Sequence, residues 1–299
     1  MSPSDYKDCY HRLQVPVIVD DKVQRWTEVR LDQYILITKI DLAANTVTWD
    51  NNHPDNQAAF DALLGKLTDH FAKRGATLTV HVKPALGGIE HAEFDTWKEL
   101  WYYARKPFFG KGTPEEAQIT LQLAARFGLL EGGTVQAYCD KYLGLDCNGF
   151  VGNYLDHGLR EGDWQSAEPM GTAYLANKSI RPIIRGSGAA VTKMEDLVPV
   201  NSYILGLVGA SGLVIDQYEG NSFGHIVITQ PPMKWETPYW EGKKVRQVPT
   251  FMAVESTGGV GLCERGAQFL GVDDNGIFTV KRFSHRHDAP LRFRVYRVL

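Results

Sequence analysis

Apolar and polar positions follow two rhythms along this chain, and each rhythm predicts a different kind of element. Residues 15 to 20 (VPVIVD) and 28 to 42 (EVRLDQYILITKIDL) are rich in β-branched and aromatic side chains and predict strands. Residues 46 to 49 (TVTW) are expected to pair back through a turn at Ala44-Asn45. Phe60, Leu63, Leu64, Leu67 and Phe71 then recur at helical spacing and place an apolar stripe on one face, with Gly75 where a C-terminal cap belongs. In TLTVHV, Leu78, Val80 and Val82 alternate with Thr79 and His81, which predicts a half-buried strand. Residues 1–106 are therefore expected to form a small α+β module with an accessory or targeting role.

Pro107, Gly110 and Gly112 interrupt the pattern and mark a boundary. Thr113-Pro114-Glu115-Glu116 has the form of a capping box with proline at the first helical position. The helix it opens carries Ile119, Leu123 and Phe127 on one side and stops near Gly128, and a shorter helix follows over residues 134 to 142. Beyond residue 200 come NSYILGLVGA, GHIVITQ, TFMAVES, GIFTVKRF and RFRVYRVL, separated by turn signals such as Asp274-Asn275-Gly276. Helices followed by an antiparallel sheet define the α+β class, and residues 107–299 are read as its main domain.

Composition narrows the classes of function. Among 299 residues, 43% are hydrophobic and 22% charged, with a formal net charge of −3, so a globular chain with a real core is expected. That balance argues against a general nucleic-acid or membrane-surface binder. No apolar run approaches the roughly 20 residues that span a bilayer, and MSPSDYKDCYHRLQVP lacks a basic region followed by an apolar core. The expectation is a protein that is cytoplasmic as synthesised, or exported by a route that needs no signal peptide. Cys9, Cys139, Cys147 and Cys263 are too few and too scattered for a disulfide scaffold, and they lack zinc-site spacing.

The chemistry concentrates at Gly144-Leu145-Asp146-Cys147-Asn148-Gly149-Phe150-Val151-Gly152-Asn153-Tyr154-Leu155. Asp146 suits an N-cap, and Phe150, Val151, Tyr154 and Leu155 form a helical stripe. Cys147 then occupies the first helical position. Amides at a helix start favour a thiolate and can donate to an oxyanion during acyl transfer, although the Asp146 charge opposes the first effect. The plain alternative is a small buried filler.

Asp146-Cys147-Asn148-Gly149-Phe150-Val151 resembles the Asp-Cys-Ser-Gly-(Phe/Leu)-Val signature of the NlpC-type cell-wall peptidases, a papain-like cysteine hydrolase family. Residues 194 to 205 resemble that family's proline-containing turn and core strand. Gly224-His225-Ile226-Val227-Ile228 resembles its strand with the catalytic histidine, and Phe251-Met252-Ala253-Val254-Glu255-Ser256 the next strand. The likeness covers residues 113 to 299. Asn148 stands where the family keeps serine, and QPPMKWETPYWEGKKVRQVPT is a longer insertion than the family carries.

The resemblance implies a papain-like α+β domain with helices packed on an antiparallel sheet, and a cysteine amidohydrolase or endopeptidase acting on peptidoglycan stem peptides. Cys147 is the expected nucleophile and His225 the base that returns a proton to the leaving amine. Glu255 is chosen to orient the imidazole, the alternative being a surface charge at a strand end. Tyr142, with Tyr138 as the other candidate, is placed near the oxyanion. Asp146 belongs to the same site, and Trp235, Tyr239 and Trp240 either rim a substrate groove or cover the sheet. No metal or organic cofactor is required. A peptidoglycan-derived peptide is the expected partner, and an interbacterial or phage-type role would add an immunity or carrier protein. Alternatives are a deamidase or acyltransferase of the same superfamily, and a papain-like binding module without catalysis. His285-Arg286-His287, among Lys281, Arg282, Arg292, Arg294 and Arg297, reads as a solvated basic face rather than a metal or phosphate site, Gly186-Ser187-Gly188 as a turn, and His81 and His91 as exposed or structural residues.

Overall fold

The computed structural model describes all residues except 20–21, 42–45, 50–54, 74, 85–86, 131–132, 160–179, 187, 217, 220–221, 237–246, 284–288 and 299. The Ala44-Asn45 turn, Ser187, Tyr239, Trp240 and the His285 to His287 run lie outside the described residues. Two compact units are present. The first comprises Met1, Asp5–Thr172 and Ser256–Leu262, and the second Ser2–Ser4, Ala173–Glu255 and Cys263–Leu299.

The first unit opens with α1 (Pro3–His11), the hairpin β1 (Leu13–Val19) and β2 (Lys22–Val29), and the hairpin β3 (Ile37–Asp41) and β4 (Thr46–Trp49). Helix α2 (Asn56–Phe71) follows, then β5 (Leu78–Val82) paired with β6 (Glu90–Phe94), and helices α3 (Trp97–Ala104), α4 (Pro114–Arg126), α5 (Val135–Tyr142) and α6 (Cys147–Asn153). In α2 the apolar stripe buries Phe60, Leu63 and Leu67, and the Phe60 ring meets the edge of Trp101 at 4.7 Å. Glycine at residue 75 adopts positive φ and turns the chain three residues beyond the helix cap.

Helix α4 begins as its sequence predicts. Thr113 and Glu116 form the reciprocal capping box, with the Thr113 amide donating to Glu116 Oε2 at 2.9 Å. Its burial differs from a one-sided apolar stripe, because every residue from Pro114 to Ala124 is buried. Polar groups survive this burial by bonding to backbone. Gln118 receives the Lys83 amide at 2.8 Å and donates to its carbonyl at 2.9 Å, while Gln122 receives the His81 amide at 3.0 Å. Two glutamines on one helix face thus satisfy an edge of β5.

The second unit corrects the expected architecture. It contains α7 (Ile180–Gly186), β7 (Ala190–Val191), β8 (Tyr203–Leu207), the short pair β9 (Tyr218–Glu219) and β10 (Ser222–Phe223), and the long strands β11 (Ile226–Glu236) and β12 (Val248–Thr257). Strands β13 (Gly261–Val272), β14 (Phe278–Arg282) and β15 (Leu291–Arg297) complete it. The order β14-β13-β12-β11-β8-β15 closes through pairing of β14 with β15, so six antiparallel strands form a barrel. A papain-like α+β domain of helices packed on an open sheet is not what this chain builds. The physical reason lies in the side chains. Tyr203 and Leu205, Val227, Phe251 and Ala253, Ala267 and Phe269, Phe278 and Val280, and Phe293 and Val295 alternate inward from every strand. They fill one enclosed core, with the Phe251 and Phe269 rings 4.5 Å apart. Closure also pairs the backbone edges that an open sheet would leave exposed. Among the described residues, no helix is long and apolar enough to cross a membrane.

Candidate active site

Cys147 belongs to the first unit, where several independent bonds hold its turn. Leu145 bridges in parallel to Tyr34, its amide donating to the Gln33 carbonyl at 2.9 Å, and its carbonyl accepts the Ser256 hydroxyl at 2.7 Å. The Asp146 amide donates to the Gly110 carbonyl at 3.1 Å, and Asp146 Oδ1 caps α6 by accepting the Gly149 amide at 2.6 Å. Cys147 follows as the first helical residue and is 5% exposed. The opening amides of a helix have no partner within the helix, so this turn presents donors beside the sulfur.

Two glycines make the crossing possible. Gly110 has φ 72°, and a Cβ there would meet the Asp146 amide and the Ile35 carbonyl at 2.8 Å. A Cβ on Gly149 would run into the Gly110 carbonyl oxygen itself. At Asn148-Gly149 the start of the helix closely approaches the loop at Gly110.

Lys111 is a residue of this turn that sequence reasoning missed. Its ammonium bonds Asp146 Oδ2 and Asn148 Oδ1, and both partners of the ion pair are 4% exposed. The acidic cap that opposed a thiolate in the sequence reading is therefore neutralised from behind. Asn153 clamps the same loop, donating to the Lys111 and Gly112 carbonyls at 3.0 and 2.8 Å. The available signal was a lone lysine between Gly110 and Gly112, in a segment read only as a boundary.

His225 and Glu255 belong to the second unit, and the fold brings these two sequence candidates together. His225 Nε2 lies 2.6 Å from Glu255 Oε2, with Glu255 fully buried and the His225 side chain 15% exposed. Strand parity explains the meeting. Glu255 shares its inward face with Phe251 and Ala253, and His225 precedes β11 on the parity of Val227. Arg265 has the parity of Ala267 and Phe269, and Arg282 that of Phe278 and Val280. One end of the apolar barrel interior is consequently finished by a polar layer.

In that layer Arg282 Nη1 donates to both Glu255 oxygens, at 3.2 and 3.3 Å. Arg265 Nε lies 3.1 Å from Oε1 without hydrogen-bond alignment, so it supplies charge more than a directed bond. Burial pushes the Glu255 carboxyl up, but the His225 hydrogen bond and charge, with Arg282 and Arg265, outweigh it and hold the group below its ordinary value. An ionised carboxylate must receive the Nε2 proton, which makes Nδ1 the basic nitrogen of the neutral ring. The strand-end surface-charge reading of Glu255 does not survive, since the side chain has no exposure. Arg282, read from sequence as part of a solvated basic face, is instead an inward residue.

Cys147 and the His225–Glu255 pair lie in different units. Burial pushes the other three thiols up, Cys9 to about 12 and Cys139 and Cys263 also above their ordinary value. Tyr142 closes α5, buried, with its ring 4.8 Å from that of Tyr138. Its carbonyl accepts from Asn56 Nδ2 at 3.1 Å. Trp235 is 40% exposed on β11, opposite Pro249. Among the described residues no group of three or more His, Cys, Asp or Glu side chains is arranged to hold a metal ion.

Compared with family models, with curated proteins and with solved structures, the chain matches none. The NlpC-type likeness stays a resemblance of short motifs.

Proposed function

We propose that this protein is a cysteine-dependent hydrolase that cleaves an amide bond, with Cys147 as nucleophile and the His225–Glu255 pair as its proton-transfer apparatus. The observation that carries the reading is the buried, ionised Glu255 oriented on His225 Nε2 at 2.6 Å. An imidazole held this way has a defined tautomer and a stabilised protonated form, the two properties that a general base for a thiol requires. Around Cys147, the Lys111–Asp146 pair and the capped first turn supply a rigid support and amide donors suited to an oxyanion.

In the proposed reaction His225 Nδ1 takes the Cys147 proton as sulfur attacks the carbonyl carbon. It then passes that proton to the departing amine, leaving a thioester. Water, deprotonated by the same imidazole, releases the acid and restores the thiol. The first substrates to assay are peptidoglycan stem peptides, the class implied by the motif resemblance. Glu255 is a positioning residue that acts through His225.

Purified muropeptides incubated with the protein, with Cys147→Ala and with His225→Ala, analysed by mass spectrometry, test the reading. Cleavage by the native chain alone supports it. Undiminished product from Cys147→Ala overturns it, and no product from the native chain removes this substrate class. The reading also requires thiol and imidazole to work together. Alkylation of Cys147 by iodoacetamide at neutral pH is expected to slow at least about tenfold in His225→Ala. An equal rate in both proteins would refute the pairing whatever the substrate.

A further inference from the structure

We propose that His81 and His91, opposite one another on the β5–β6 hairpin of the first unit, chelate a divalent transition-metal ion of the zinc, copper or nickel class, with water in the remaining coordination positions. Neither residue belongs to the hydrolase reading, and the site stands or falls without it.

Strand register makes the pair. His81 faces His91 directly, and Thr79 faces Glu93 one step along the same side of the hairpin. The His81 amide donates to Gln122 Oε1 of α4 at 3.0 Å, so it points away from β6. In an antiparallel ladder that marks a non-hydrogen-bonded pair, the close kind, with Cα atoms about 4.5 Å apart and side chains drawn together. The two rings accordingly have centroids 6.3 Å apart and planes 44° from each other, so they are not stacked. A zinc-class ion sits about 2.0–2.1 Å from an imidazole nitrogen, and one ion held by both rings fits at this separation or after a small turn of the exposed His91 side chain.

The support is rigid and the approach open. Strand β5 is held along one edge by β6 and along the other by Gln118 and Gln122, and Leu78, Val80 and Val82 anchor it from within the core. His81 is half-buried and His91 exposed, so solvent reaches both rings. Burial holds the His81 imidazole below its ordinary value, and the charges of His91 and Arg126 act in the same direction. The neutral ring thereby favoured is the form that coordinates metal. Of the nearby charges, Glu93 favours a cation. Arg126 opposes one from the Thr79 carbonyl, to which its Nη1 donates at 3.3 Å, and the Lys83 ammonium lies over the Trp26 ring at 4.6 Å. Among the described residues no third His, Cys, Asp or Glu completes a cluster, so the ion would exchange with solvent, unlike one in a closed four-ligand structural site.

Calorimetric titration of the full, untagged chain with nickel(II), which suits imidazole and is not reduced by thiols, compares the native protein with His81→Asn, His91→Asn and the double variant, each checked by circular dichroism. The native chain is expected to bind one ion at least about tenfold more tightly than either single variant, and the double variant no more weakly than a single one, because the advantage of a chelate is lost with either ring. Equal affinity in the native chain and the double variant, or single losses that simply add, overturns the site. Should His81→Asn fail to fold, the exposed His91→Asn carries the comparison, and an unchanged affinity there is the refuting result. In proton NMR, substoichiometric nickel(II) should broaden the His81 and His91 ring signals, assigned by their loss in the variants, before those of the other histidines. Broadening that spares these two signals while others disappear would equally refute the assignment.

Discussion

Replacing Lys111 by methionine tests the support beneath Cys147. Lys111 and Asp146 form an ion pair in which each side chain is 4% exposed, so the substitution leaves a carboxylate with little access to water. Removing one member of a buried pair typically costs about 3–5 kcal/mol, because the remaining charge is uncompensated. Part of that is offset here. Asp146 keeps its bond from the Gly149 amide and lies at the positive end of α6, together worth about 1 kcal/mol. The expected net loss is about 2–4 kcal/mol. For a unit of this size, about 3 kcal/mol lowers the melting temperature by about 6–12 °C. The assay is a double-mutant cycle of Lys111→Met and Asp146→Asn, followed by near-ultraviolet circular dichroism in urea and on heating. Asparagine still caps a helix, so the double variant removes both charges and should recover most of the loss. A coupling within about 0.5 kcal/mol of zero would show that the two groups do not depend on each other and would refute this account of the turn.

Gly149→Ala places a methyl group into the Gly110 carbonyl, so the loop or the helix start must move; soluble expression or melting temperature should fall sharply, whereas alanine at exposed Gly259, which has open space, should be neutral. The Glu255 carboxyl is held below its ordinary value, so the stability it contributes is full above about pH 4.5 and is lost as pH falls through the folded-state value. Urea midpoints measured downward from pH 6 should therefore drop more steeply for the native chain than for Glu255→Gln, and parallel curves would contradict the assignment. Phe269→Ala empties the middle of the barrel, beside Phe251 at 4.5 Å and Phe278 at 5.2 Å, and should cost about 3–5 kcal/mol in chemical denaturation. On the proposed mechanism, peptide mapping after iodoacetamide treatment at neutral pH should find Cys147 modified well before Cys9, Cys139 and Cys263, whose thiols burial pushes up; Cys147 modified last would count against it as the nucleophile.

What the sequence determined by itself is the set of features that near neighbours decide. The Thr113-Glu116 capping box, the α2 stripe, the β5 alternation and the Asp146 cap each depend on side chains within a few residues, and each is present. The motif resemblance also singled out His225 and Glu255, 30 residues apart, which the fold joins at 2.6 Å. Tertiary structure decided the rest. Period-two alternation reads the same in an open sheet and in a barrel, so only the pairing of β14 with β15 distinguishes them, and that depends on how six strands twist and stagger together. The same closure turned Arg265 and Arg282 inward. Their parity with Phe269 and Phe278 was legible in ERGAQF and FTVKR, but a charge on an inner face is expected only once a buried carboxylate is there to meet it. Lys111 was hidden for a similar reason: its partner Asp146 is 35 residues away, and no local pattern encodes a contact made by two crossing loops.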